Sequence, residues 1–488
     1  MTRLHLFAKS TGYTANTSPG LVDSLLSLPR SFILAGLAGS LSLVVYLVTI
    51  APDLSWSNFS SDGAELISAS VTMGIAHPPG YPTYILLGKL FSLLPLGTVA
   101  FRYNVFSAIA MASAVAFSTA TTYASNPAAK SNWSAVLSAG LTFAFAPLIW
   151  SQATIAEVYA LNLAVLSIFL WLLLSQRSSW LAGAMLGLSF TTHLTTLLML
   201  PLGLALTPRG KRKHLGLGII IGLLPLLTLP LLNRLGSPVI WGDPSTLNGW
   251  WWLISAQLYQ ANINVPTTTV GFLSHLSTWS ATIFKQFAWA GWLFIIFGVF
   301  AHRLRPRRST LLLLTAAFYA VFSLLYSPND AIVNLLPAFL LLVPFLAAGF
   351  TRLKYWSLLF PLLLLLLNFS SQNLRAQQSP RPPIEKVLRI MPENAVVLTP
   401  GDHSIFSLWY FQHVEGQRTD LVLVDENLLA FMWYRQRLAV RYPGLEGLDT
   451  DDLAQFRQLN SKKRPICYLS LQNPQSLTCP ETASANFN

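Results

Sequence analysis

The sequence predicts an α-helical polytopic membrane protein with a small C-terminal α/β domain. Three observations predict it. Of 488 residues, 53% are hydrophobic and only 10% are charged, against roughly 25% charged in a soluble domain. The apolar residues gather into runs close to the ~20 residues that cross a bilayer. Beyond residue 370 the composition turns abruptly polar, with 12 basic and 12 acidic residues.

The apolar runs are 31–51, 103–123, 133–150, 155–175, 214–233, 287–302, 309–326, 331–350 and 355–369. The first is too long for a signal-peptide core and has no small-residue cleavage site before Asp53, so it reads as a retained signal anchor. Residues 1–30, with Arg3, Lys9 and Arg30, form a cytoplasmic segment ahead of a polytopic domain spanning 31–370. Threading the chain from that start puts 15 basic residues inside and 4 outside, which sets the orientation. The parity requires two passes within 180–206, predicted as short helices broken near Thr191, Thr192, His193 and Thr195. About eleven transmembrane helices result. The net charge of +12 arises within residues 1–370, with 19 basic and 7 acidic residues. The positive-inside rule accounts for it without a nucleic-acid partner.

Residues 371–488 are predicted as an outer-face α/β domain. It opens with a polar linker, Ser379 to Pro383. Strands at Ala395–Thr399 and Leu421–Asp425 then alternate with helices at His403–His413 and Leu428–Tyr442. The only cysteines, Cys467 and Cys479, exclude a cysteine-rich metal framework and either pair or stay free.

Six of the seven acidic residues before 371 fall at outer ends of spans or in outer loops: Asp53, Asp62, Glu65, Glu157, Asp243 and Asp330. Ionisable groups at membrane depth mark functional cavities. The first outer loop, 52–102, carries Asp62 and Glu65 at a spacing that puts both on one helical face, where adjacent carboxylates differ in pKa. Asp62 also fits an N-cap. His77 precedes three prolines and a glycine, which forbid a continuous helix and hold it on a rigid turn, where it donates to a phosphate or moves a proton. Arg102 closes the loop, either as a phosphate ligand or as a snorkelling span end. Glu157, Tyr159 and Asn162 open a span, and His193 sits at the predicted break. Trp241 and Asp243 lie in a later outer loop, ahead of Trp250 to Trp252, which fit an interfacial belt. Asp402, between a predicted strand and a predicted helix, fits a helix cap first and substrate binding second.

Four of these segments carry a resemblance. Asp-Gly-Ala-Glu-Leu-Ile from Asp62, His-Pro-Pro-Gly-Tyr-Pro from His77 through Tyr81, Ala-Glu-Val-Tyr-Ala-Leu-Asn from Ala156, and Trp-Gly-Asp from Trp241 resemble a membrane family. That family includes the plexin-modifying transmembrane O-mannosyltransferase and bacterial relatives of unassigned substrate. The tail stretch Gly401-Asp402-His403 with Leu408-Trp409-Tyr410 resembles the outer domain of the bacterial members. The resemblance implies a GT-C-type glycosyltransferase in a bacterial inner membrane, using a polyprenyl-phosphate sugar donor and a glycan or protein acceptor. It gives Asp62 the place of the loop acid, with Glu65 as second catalytic carboxylate. His77, Tyr81, Arg102, Glu157, Tyr159, Asn162, His193, Trp241 and Asp243 are then substrate-binding. Ser60 and Ser61 depart from the glycines common before that acid.

Two other classes compete. A transporter or flippase of a lipid-linked substrate places charges near the midplane, often in repeated halves, whereas these acids cluster at one surface without an internal repeat. A non-catalytic scaffold needs no such cluster. The acids are too scattered to define a metal geometry, so no cofactor is assigned and a divalent cation is left open.

Overall fold

Helix and sheet divide where the composition changes. The computed structural model describes residues 29–488 apart from 126–131, 264–267, 302–305, 329, 378, 473–474, 480–481 and 488. Residues 1–28 of the expected N-terminal segment, with Lys130, Arg303 and Arg305, lie outside the described residues.

Among the described residues, five helical runs are long and apolar enough to cross a bilayer: Arg30–Thr49 (α1), Val99–Ser125, Arg209–Asn233, Pro306–Leu325 and Ala331–Gln372. Two pairs bent by 65° and 78°, Trp133–Ala144 with Pro147–Ala153 and Val270–Lys285 with Ala290–Phe300, raise the number to as many as seven. The chain is thus a multi-pass integral membrane protein. Three shorter apolar helices, Val158–Leu174, Ser179–Phe190 and Leu194–Leu206, add to these. Within Ala331–Gln372 the expected 331–350 and 355–369 runs are parted where Lys354 takes φ 50°. The helix Val270–Lys285 went unread because Ser274, His275, Ser277, Thr278 and Thr282 dilute its apolar character.

In the first outer loop, α2 (Gly63–Val71) and α3 (Pro82–Ser92) are separated by the proline-rich turn, and α4 is the long span Val99–Ser125. Further on come α5 (Val158–Leu174) and α6 (Ser179–Phe190). The predicted break follows α6 at Thr191 to His193. Irregular backbone at membrane depth needs protein partners, and Asn162 of α5 supplies them. Its amide donates to the Ser189 carbonyl at 3.1 Å, Thr192 Oγ1 at 2.9 Å and Thr196 Oγ1 at 3.0 Å.

The tail folds as α/β. The expected polar linker is instead the start of α7 (Arg381–Ile390), because its prolines occupy a first helical turn, where no intrahelical N–H is needed. Two short parallel strands, β1 (Val396–Thr399) and β2 (Val422–Asp425), are buried along their whole length, as their unbroken apolar runs require. Between them runs α8 (Asp402–Trp409), and after β2 comes α9 (Met432–Arg441). Three further strands follow: β3 (Ile466–Ser470), β4 (Gln475–Cys479) and β5 (Thr482–Phe487). The sheet order is β2-β1-β3-β4-β5, with β3, β4 and β5 antiparallel. Cys467 and Cys479 are joined as a disulfide across β3 and β4.

This α/β unit is pinned to the end of the membrane domain that carries the first outer loop. Arg381 of α7 reaches Asp53, just past α1, at 2.5 Å and also pairs with Glu415 at 2.5 Å and Glu385 at 3.1 Å. Trp56 donates to Ser407 of α8 at 3.3 Å, and the Ala100 N–H of α4 donates to the Tyr410 hydroxyl at 3.3 Å. Arg381→Gln should lower stability by on the order of 2 kcal/mol, the low end for losing one partner of a hydrogen-bonded charge cluster. Thermal melting of the detergent-solubilised protein would register this, with faster proteolysis between residues 371 and 383 as the local sign; an unchanged melt would refute the pinning role.

Candidate active site

The site is built on the two ends of α2. Asp62 stands at its N-terminus, where its backbone carbonyl accepts from Leu66 N–H while its side chain makes no cap bond. The carboxylate is therefore free of the N-cap duty that its position allowed. Gly63 permits this placement: a Cβ there would sit 2.7 Å from the Ala156 carbonyl. Glu65, in the first turn, points inward and its side chain is fully buried.

After α2 the chain doubles back. Ile75 N–H donates to the Val239 carbonyl at 2.9 Å, and Trp241 N–H donates to the Ile75 carbonyl at 3.1 Å. Those two bonds carry the Trp241 loop to the first outer loop. Next comes the turn His77-Pro78-Pro79-Gly80, closed by Gly80 N–H to the His77 carbonyl at 2.8 Å, with Gly80 at φ 87°. Pro82 then starts α3.

His77 is gripped from three sides. Its backbone N–H donates to Glu65 Oε1 and its ring Nδ1 bonds Glu65 Oε2, both at 2.7 Å. Its Nε2 lies 3.2 Å from the Tyr81 hydroxyl and 3.7 Å from Asp62 Oδ2. Trp241 and Tyr259 meet the ring edge-on with centroids at 6.2 and 6.0 Å. Burial alone lowers the His77 pKa, but Glu65 and then Asp62 outweigh it and hold the imidazole at about 9. Burial raises Asp62, against the pull of His77, to about 6. At neutral pH the arrangement is an imidazolium between two carboxylates, of which only Asp62, with 28% of its side chain exposed, is open to a reactant.

A second row of groups continues from Tyr81. The His193 ring stacks on Tyr81 at 6.3 Å and meets Tyr159 at 5.2 Å, and the Tyr159 hydroxyl donates to Asp330 at 3.0 Å. Glu157 is buried beside Ala156, next to the Gly63 contact. The structure thus gathers Asp62, Glu65, His77, Tyr81, Glu157, Tyr159, His193 and Trp241 into one region.

Three expected substrate-binding residues are otherwise engaged. Arg102 donates to the carbonyls of Ser92, Leu96 and Gly97, tying down the turn before α4. Asn162 is spent on the α6 break, as described above. Asp243 closes its own turn through Ser245 and meets Asn233. Conversely, Tyr259, in the short 3-10 helix Gln257–Asn262, carries no periodic signal and went unpredicted. Of the two roles open to Asp402 the cap is not made, because Gly401 holds the N-cap position of α8. Asp402 instead interacts electrostatically with Asp62 and His77. Desolvation in the crevice and then the Asp62 charge raise it to about 6. Among the described residues, no group of three His, Cys, Asp or Glu side chains is arranged to hold a metal ion.

The fold resembles that of ArnT from Cupriavidus metallidurans, solved bound to undecaprenyl phosphate. The TM-score is 0.55, over 89% of this chain and 92% of that chain, at 14% identity. The likeness is one of fold, a GT-C-type helical membrane bundle joined to a small α/β domain. Residues 62–216 match the family model for the Protein O-mannosyl-transferase TMEM260 N-terminal domain, and 384–451 match TMEM260-associated domain 2. Identity to Protein O-mannosyl-transferase TMEM260 of Mus musculus is 26%, over 84% of this chain and 67% of the mouse protein. Identity to the Dictyostelium discoideum protein of that name is 28%, over 42% of this chain and 28% of that protein. Over these segments the chain is similar to the O-mannosyltransferase family that includes TMEM260.

The geometry separates the two loop carboxylates. Glu65→Ala strips a buried imidazolium of its counter-charge and should cost roughly 3 kcal/mol, whereas Asp62→Asn, which disturbs only longer contacts, should leave the melting temperature nearly unchanged. Equal melting shifts for the two variants would contradict this assignment.

Proposed function

We propose that the protein moves a sugar from a polyprenyl phosphate to an acceptor hydroxyl at the non-cytosolic membrane surface, with inversion at the anomeric carbon. The observation that carries this reading is the accessible Asp62 carboxylate held beside the His77–Glu65 pair. Asp62 takes the acceptor proton as the hydroxyl oxygen attacks the anomeric carbon. The bond from that carbon to the phosphate oxygen breaks, and its electron pair leaves with the polyprenyl phosphate. Asp62 ends protonated and the lipid phosphate gains a negative charge, which the His77 imidazolium opposes. Glu65, enclosed and doubly bonded to His77, acts as a positioning residue.

The names of the mouse and slime-mould relatives support a mannose-like donor, and the lipid bound by ArnT supports a polyprenyl phosphate. The clustering of basic residues on the opposite side supports the non-cytosolic location, as does a disulfide in the tail.

A base with a pKa near 6 suits work at neutral pH. Asp62→Asn should cut transfer from polyprenyl-phosphate mannose at least about a hundredfold; retention of wild-type turnover in a radiolabel assay would remove Asp62 from the chemistry. The pH profile of kcat/KM should rise as Asp62 ionises through about 6 and fall as His77 loses its proton through about 9. Because His77 lowers the Asp62 pKa, His77→Gln should push the acid limb above 6. An acid limb that stays put in that variant would show that His77 does not tune the base.

A further inference from the structure

Among the described residues, a buried carboxyl beside the candidate active site has an oxygen without a partner. Glu157 is 3% exposed, and its Oε1 accepts no hydrogen bond. A buried acceptor left unmade is costly, so the position calls for a donor that arrives from outside the chain.

Contacts on both sides fix where Glu157 stands. Toward α2, Gly63 abuts the Ala156 carbonyl, which puts the backbone of Glu157 next to that of Asp62. Toward α5, Tyr159 bonds Asp330 and packs on His193, which stacks on Tyr81. Glu157 and Asp330 therefore border the same region as Asp62, along a wall of three rings.

The chemistry of this wall discriminates among ligand groups. An anionic phosphate would meet a cluster of acidic side chains here and is better placed toward the His77 imidazolium. An acceptor hydroxyl brings one proton, and Asp62 takes it. A neutral hexose brings several hydroxyls on adjacent carbons, each able to donate to a carboxyl oxygen such as the unpartnered Glu157 Oε1. Tyr81, His193 and Tyr159 pack in a row beside these groups.

Resting on the glycosyl-transfer reading above, we propose that Glu157 and Asp330 form the hydroxyl-recognition subsite for the donor's sugar. A hydroxyl of the sugar donates to Glu157 Oε1 and a neighbouring one to Asp330. Sugar selectivity then resides in these two side chains, apart from the Asp62 chemistry.

The test uses the full-length protein with a polyprenyl-phosphate hexose and its monodeoxy analogues, comparing wild type with Glu157→Gln and Asp330→Asn. Wild type should lose at least about tenfold in kcat/KM with the analogue lacking the hydroxyl that meets Glu157. Glu157→Gln should lose a similar factor with the complete donor, chiefly through donor KM, and little more with that analogue, since the contact is already gone. Should Glu157→Gln keep the wild-type preference among analogues, or should its loss multiply with every deoxygenation, the subsite is wrong. If Glu157→Gln fails to fold, the same cycle on Asp330→Asn decides on the same terms. Wild-type protein that transfers no sugar from any donor sinks the glycosyl-transfer reading itself, and this subsite with it, a result distinct from unaltered selectivity in an active enzyme.

Discussion

Two short hydrogen bonds between Glu65 and His77 set the terms for the rest of the site. They fix the histidine by its backbone and its ring at once, so that the imidazole cannot rotate away from Asp62. They also keep it charged inside a buried pocket, which no isolated imidazole would tolerate. A charged His77 in turn keeps Asp62 from being driven fully to its acid form by burial. In the proposed reaction the loop acid depends, for its place as base, on a second acid three residues on, sealed from solvent behind the histidine.

The backbone is shaped around that contact. The Pro78-Pro79-Gly80 turn reverses the chain so that His77 faces back to α2, and the bridge between Ile75 and the Val239–Trp241 segment brings an aromatic wall from a loop more than 160 residues distant. Gly63 lets α2 begin against Ala156, without which Asp62 and Glu157 would be forced apart. Each of these is a steric or hydrogen-bonding requirement of backbone, satisfied in a region where water is scarce.

Much of this was legible in the residues. The membrane class followed from composition, and the first loop from the helical spacing of Asp62 and Glu65 and the prolines after His77. Strands β1 and β2 and the helices after them followed from alternation of apolar runs with turn residues. What stayed hidden was whatever depends on partners far along the chain. Nothing local tells that Asn162 would serve a broken helix or that Tyr259 would meet His77; the three carbonyls that hold Arg102 lie within the turn just before it and are the local exception. Strands β4 and β5 escaped because they are polar, and the apolar run of β3 went unread. Helix Val270–Lys285 escaped because its hydroxyl side chains hide its apolar face.

The tail also forms part of the region around Asp62. Phe406 of α8 and Trp433 of α9 press on Trp241, which presses on His77, while Asp402 at the head of α8 shares the field of Asp62. Two stretches separated by some 340 residues therefore border one region, and Arg381 is the clasp that holds them together. A chain cut after its last apolar helix would keep its bilayer anchor yet lose the aromatic cover over Trp241 and the acidic neighbour of Asp62.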